Sequence, residues 1–244
     1  MMTGKRRTLY IVLAVLIVAI ACAAIWLGDI YHASADVESY TAQCGDVVIS
    51  EIADGLFLDG PGSENALIFY PGAKVEYTAY APLMAKLAQG GVDVFLIKMP
   101  CNLAVLGMNR ADGVLSDYSY EHWYMGGHSL GGAMAADYIA QCLKKGKTTP
   151  EGLILLAAYP NKSLKDASVR VLTIYGSEDG VLNRKRLASG RALLPDTATE
   201  IIIEGGNHAQ FGCYGVQKGD GNASISQEEQ WQQTAQAILQ WIAE

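Results

Sequence analysis

The chain has no Gly-x-Gly-x-x-Gly run and no P-loop lysine motif, so it lacks the backbone cradles that hold nucleotide phosphates. It has no Cys-x-x-Cys pair. Cys22, Cys44, Cys101, Cys142 and Cys213 are scattered, which is not the ligand spacing of a structural zinc site. No metal and no organic cofactor is expected. Charged residues are sparse, at 18% of the chain, and acids outnumber bases, leaving a net charge of −7. The basic residues Lys5, Arg6 and Arg7 outweigh Asp29 near the N-terminus, so residues 36–244 carry −9. An acidic globular part excludes nucleic acid and anionic membrane surfaces as its partners. There is no internal repeat, coiled coil or low-complexity tract, which removes a structural envelope protein from the candidates. Histidine is scarce too, with four in 244 residues, which narrows any search for a general base.

One long hydrophobic run is present. Leu9 to Leu27 carries no charge, and its length matches the roughly 20 residues that span a bilayer. Lys5-Arg6-Arg7 before it predicts a cytoplasmic tip, with the rest of the chain on the far side. Residues 1–28 are thus expected to be a tip and transmembrane anchor. The alternative is a cleaved signal peptide, because Ala33-Ser34-Ala35 precedes Asp36 with small-x-small character; the protein would then be secreted. The apolar run exceeds the usual signal core, which favours the anchor. Residues 29–45 are expected to form a polar spacer. Outside the cytoplasm Cys44, Cys101, Cys142 and Cys213 could pair as disulfides in combinations the sequence does not choose among. Free buried thiols are the other outcome, Cys142 in particular.

Residues 46–244 alternate strand and helix patterns, which predicts a mostly parallel sheet covered by helices on both faces. Val47-Val48-Ile49 and Leu56-Phe57-Leu58 flank a turn at Ala53-Asp54-Gly55 and predict an antiparallel hairpin. Ala66–Tyr70, Val92–Ile97, Gly152–Ala158, Val169–Tyr175 and Glu200–Glu204 are short apolar runs of the kind buried in parallel sheets. Helices are expected from about Tyr77 to Ala88, to about Lys145, over Asn183–Leu193 and over Ser226–Ala243.

The stretch that organises this domain is Gly127-His128-Ser129-Leu130-Gly131, between an apolar run and a helix-forming run. A serine nucleophile needs a tight strand-to-helix turn, and the glycines let strand and helix approach. The Leu130 N–H then points at the anion formed on an attacked carbonyl. A serine hydroxyl also needs a base, usually a histidine steered by a carboxylate. His32 lies beside the apolar run, His122 enters the strand before the serine, and His128 is the motif's variable residue. His208 remains, in a glycine-rich loop after the last strand. The carboxylate is expected at Asp179 in Gly176-Ser177-Glu178-Asp179, with Glu178 as the alternative. Ser129, Asp179, His208 is then the chain order of this nucleophile turn. A second oxyanion donor is expected from Tyr70-Pro71-Gly72-Ala73-Lys74; proline has no N–H, which points to Ala73, or else Lys74.

These stretches, with Lys98–Ala104 and Gly219-Asp220-Gly221, resemble the α/β-hydrolase superfamily, in particular small bacterial members related to dienelactone hydrolase. The resemblance covers about residues 46–244 and implies a Ser-His-Asp hydrolase. Dienelactone hydrolases use a cysteine nucleophile, and this chain has serine, so lactone specificity does not carry over. The superfamily's lid usually follows the strand ending near Ala158. Here Tyr159–Ser168 is too short for one, so an open site walled by Tyr70, Asn102, Tyr159 and Phe211 is expected. The substrate is then a small-molecule acyl compound, cleaved as a carboxylic ester. A peptidase or thioesterase on the same triad, or a non-catalytic membrane-tethered binding module, are the alternatives.

Overall fold

The computed structural model describes residues 4–244, with residues 4–9 and 23–25 described by their backbone alone; the basic side chains of Lys5, Arg6 and Arg7 thus lie outside the described ones. Residues 1–30 and 31–244 are two separate compact units. The first is helix α1 (Gly4–Gly28). Its window Tyr10–Gly28 is long and apolar enough to cross a membrane, the length and composition also found in signal sequences, and none of it is buried. Uniform hydrophobicity around the helix, with no polar face, is what distinguishes it from the amphipathic helices of the second unit.

The second unit is an eight-stranded sheet in the order β1-β2-β4-β3-β5-β6-β7-β8. Strands β1 (Val48–Ile52) and β2 (Gly55–Asp59) form the expected hairpin, and β2 runs antiparallel to β4 (Val92–Ile97). The remaining pairs are parallel, through β3 (Asn65–Tyr70), β5 (His122–His128), β6 (Gly152–Leu156), β7 (Arg170–Gly176) and β8 (Thr199–Ile203). Side-chain alternation divides the apolar strands between two cores. On β3, Leu67 and Phe69 join the layer under helices α3 (Ala81–Gln89) and α7 (Gln227–Ile242), which holds Leu83, Trp231 and Ile238. Ala66, Ile68 and Tyr70 join the layer under α4 (Ala111–Asp117) and α5 (Leu130–Lys145), which holds Tyr138 and Ile139. Helix α6 (Arg184–Arg191) starts at Asn183, whose side chain caps it by accepting the Arg186 N–H.

Two details depart from the sequence reading. The helix expected from Tyr77 begins as a 3-10 turn, Tyr77–Tyr80; regular α3 starts at Ala81, where Pro82 occupies a first-turn position that needs no N–H. The segment 31–45 is not a spacer but part of the domain. Tyr31 bridges to Val75, the Ser34 N–H donates to the Cys213 carbonyl at 2.8 Å, and helix α2 (Val37–Thr41) is followed by Cys44, which is buried. The Tyr40 ring meets Trp231 edge-on at 5.1 Å, an aromatic contact invisible to local pattern. Cys44, Cys101, Cys142 and Cys213 are all free thiols, Cys101 exposed and the others buried. Among the described residues no helix or strand occupies 157–169, so no lid stands over the sheet's C-terminal edge.

Candidate active site

β5 ends at His128 and α5 begins at Leu130, so Ser129 alone makes the turn, at φ 53° and ψ −121°. Such a backbone costs a non-glycine residue about 1–3 kcal/mol and persists only where the surroundings determine it. Here the Ser129 N–H donates to the Leu156 carbonyl of the neighbouring strand at 2.9 Å, and its carbonyl accepts the Ala133 N–H at 3.2 Å. The motif glycines are spatial requirements. A Cβ on Gly127 would lie 2.5 Å from the Gly131 carbonyl carbon, and one on Gly131 would lie 2.2 Å from the Tyr70 carbonyl oxygen. The helix start is therefore pressed against both its own strand and the end of β3. Leu130 is the first helical residue, whose N–H has no intrahelical acceptor and sits at the positive end of the helix dipole.

His208 and Asp179 come from loops after β8 and β7. His208 Nδ1 lies 2.8 Å from Asp179 Oδ2, and both side chains are almost wholly buried. The other carboxylate oxygen, Oδ1, accepts the N–H groups of Val181 at 2.9 Å and Leu182 at 2.7 Å. A buried carboxylate with all these partners is fixed in place. Glu178 instead points outward, exposed, with its carboxylate on Ser177 Oγ at 3.2 Å. Ser129 and His208 line the same open cavity of about 260 Å3. That is below the usual range of small-molecule pockets, roughly 300–1,000 Å3.

The oxyanion candidates are distinguished by what their amides already do. The Gly72 N–H donates to the Tyr80 hydroxyl at 3.1 Å, and the Lys74 N–H donates to the Asn102 carbonyl at 2.8 Å. The Ala73 N–H has no acceptor among the described residues. Lys74 is thereby removed as the alternative donor in this conformation.

Of the four expected substrate residues, Tyr159 lines the cavity and the other three do not. Tyr70 is fully buried; its side chain points into the α5 layer, where its hydroxyl donates to the Met108 carbonyl at 2.6 Å and accepts the Ala111 N–H at 3.1 Å. Asn102 uses its carbonyl to hold the Lys74 turn. Phe211 is fully buried, with its ring 5.5 Å from that of His128. The rest of the cavity lining includes Ala133, Ala158, Asn161, Leu182, Asn183 and Arg186.

Asp220 was marked in the sequence only as part of a glycine-flanked turn. Its carboxylate accepts the N–H groups of Gly180 at 3.1 Å, His208 at 3.3 Å and Ala209 at 2.8 Å. It joins the Asp179 loop to the His208 loop. Gln230 on α7 adds a second clasp, exchanging hydrogen bonds with the Asn207 main chain at 2.9 and 2.8 Å. No local pattern marks either contact, because each partner is distant in the chain.

A family profile described as alpha/beta hydrolase family matches residues 66–232. No curated protein matches the chain. Among solved structures, an esterase from the archaeon Pyrobaculum calidifontis is 14% identical, with a TM-score of 0.57 over 86% of this chain and 91% of that one. A dienelactone hydrolase from Anabaena variabilis is 15% identical, with a TM-score of 0.55 over 81% and 95%. Est1E from Butyrivibrio proteoclasticus is 13% identical, with a TM-score of 0.55 over 82% and 100%. At these identities the likeness is one of fold.

Proposed function

The chain belongs to the α/β-hydrolase family, and from that premise we propose that it is a serine hydrolase cleaving a carboxylic ester or related acyl bond. The observation that carries this reading is the buried His208–Asp179 pair, 2.8 Å apart, opening with Ser129 onto one cavity. Ser129 Oγ attacks the acyl carbon while His208 Nε2 takes its proton. The carbonyl oxygen becomes an anion held by the Leu130 and Ala73 N–H groups. Collapse breaks the bond to the leaving group, which departs with the proton from His208, and Ser129 is left acylated. Water then repeats the cycle, giving its proton to His208 and releasing the acid. Asp179 holds the imidazole with Nδ1 protonated and stabilises the imidazolium. Each backbone donor contributes about 3–4 kcal/mol at the transition state by analogy with side-chain oxyanion donors.

The small cavity and its alanine floor support short acyl groups. Acetate and butyrate esters should exceed octanoate by about tenfold or more in kcat/KM, since single methylenes in a pocket are worth that order of discrimination. A marked preference for octanoate would contradict it. The reading is tested directly by treating the full-length protein in detergent with a fluorophosphonate. The expected result is an adduct on Ser129, absent in Ser129→Ala and slow to form in His208→Ala. A folded protein without the adduct would move the reading to a binding module, and turnover of amides without esters would move it to a peptidase.

The location that fits is a retained anchor with the domain extracytoplasmic. Cleavage after Ala35 would strip from the domain the Tyr31–Val75 bridge, the Ala33 N–H bond to Glu76 and the Ser34 bond to Cys213. These contacts support residues 31–35 as a working part of the folded unit.

A further inference from the structure

The mechanism above makes no use of His128, although it is 1% exposed and its ring lies 4.4 Å, centroid to centroid, from that of His208. His128 Nδ1 is 2.8 Å from the hydroxyl of Tyr80, a residue with no exposed surface. The same hydroxyl accepts the Gly72 N–H at 3.1 Å. A phenol has one proton to give. With Gly72 donating to the oxygen, that proton goes to Nδ1, so Nδ1 accepts and the neutral ring carries its hydrogen on Nε2. The environment agrees with a neutral ring: burial first, and then the neighbouring His208, hold the His128 pKa well below the ordinary histidine value. Nε2 is buried and meets no acceptor at strict hydrogen-bonding geometry among the described residues, while a hydrogen bond between the ring and the His208 main chain offsets part of the burial effect.

Gly72 is built into this contact. A Cβ there would lie 2.7 Å from the Tyr80 oxygen and 2.8 Å from His128 Nδ1. The next residue is Ala73, whose amide is the free one on that loop. The chain Gly72 N–H, Tyr80 O–H, His128 Nδ1 thus runs from the oxyanion loop to the residue before the nucleophile, and His128 lies against the ring of His208.

We propose that Tyr80 and His128 are positioning residues that hold the Gly72–Ala73 turn and the His208 ring at one fixed spacing across Ser129. They act through the Gly72–Ala73 turn and through contact with the His208 ring. The proposal rests on the serine hydrolase reading above. Their effect falls on the transition state, where misplacement by about 1 Å can cost on the order of a hundredfold in rate.

The test is steady-state hydrolysis of 4-nitrophenyl butyrate by full-length wild type, Tyr80→Phe, His128→Asn and His128→Phe, each checked for folding by its melting temperature. Tyr80→Phe should lose about 10–100-fold in kcat with KM within about twofold, the split expected when geometry rather than binding is lost. His128→Asn, which keeps an acceptor near the Nδ1 position, should retain more activity than His128→Phe. Nitrogen NMR of labelled histidines gives a readout independent of variants: wild-type His128 should show an unprotonated Nδ1. A folded Tyr80→Phe with wild-type kcat, equal activity of the two His128 variants, or an Nδ1-protonated His128 would each overturn the proposal. A wild type that neither hydrolyses the ester nor reacts at Ser129 would instead overturn the hydrolase reading.

Discussion

His128 couples this site to pH through stability. Burial holds its folded pKa well below the value in an unfolded chain, so between the two the unfolded state binds the extra proton. Stability is therefore complete above the unfolded histidine pKa of about 6.5 and falls as pH drops below it. Glu200 adds a loss at lower pH. Burial pushes its carboxyl up, but hydrogen bonds from Arg191 and Tyr175 overcome that and leave it lowered. Melting temperatures should hold steady from pH 8 to 7 and decline from 6.5 to 5, and His128→Asn should flatten that decline. An equal decline in the variant would assign it to other groups. At this scale the strand-to-helix turn at Ser129 and the loop position of His208 were legible from residue type and neighbours. Tyr70 was misread because the strand pattern gives its position but not its face. A residue at the end of β3 can point to the Pro71–Lys74 loop or into the α5 layer, and the Met108 and Ala111 partners that hold it there lie far along the chain.

The strand–turn–helix unit β5–α5 depends on contact distances that only glycine permits. Gly131→Ala sets a methyl 2.2 Å from the Tyr70 carbonyl oxygen, a backbone atom that cannot swing aside. Overpacking of this kind costs about 1–3 kcal/mol or more, so the variant should melt clearly lower or fail to accumulate. Gly113 in α4 has nothing within 4 Å of the added position, so Gly113→Ala should stabilise by about 0.5–1 kcal/mol. Thermal melts of the two variants check both signs; similar shifts would contradict the packing account. Elements were legible where period and punctuation agreed. β4 falls on Val92–Ile97 and α5 ends at Lys145, as expected, because apolar runs and glycines bound both. The loop after Asp179 was opaque as a cavity wall, since Asn183 and Arg186 look like any polar turn and helix start.

Across the whole molecule the informative segment is 31–45, whose polar composition resembles a linker. Its attachment is by backbone hydrogen bonds and by rings: Tyr31 lies 5.6 Å from Tyr214, and Tyr40 lies 5.1 Å from Trp231. A domain starting at Tyr31 should melt about 2–8 °C above one starting at Asp36. The lost bridge and ring contact amount to about 1–2 kcal/mol, and a domain of this size shifts by about 2–4 °C per kcal/mol. Equal melting temperatures would return residues 31–35 to the status of a spacer.

The apolar helix, the alternating strand and helix plan and the tight Gly127–Gly131 turn are written locally, in period, length and punctuation. Those signals act between residues a few positions apart, so they survive in the sequence alone. The Asp220 and Gln230 clasps, the docking of 31–45 and the Tyr80–His128 contact join residues from 11 to 187 positions apart. The long-range members of that set depend on which side of a folded sheet each loop lands, and that was decided only when the eight strands took their order.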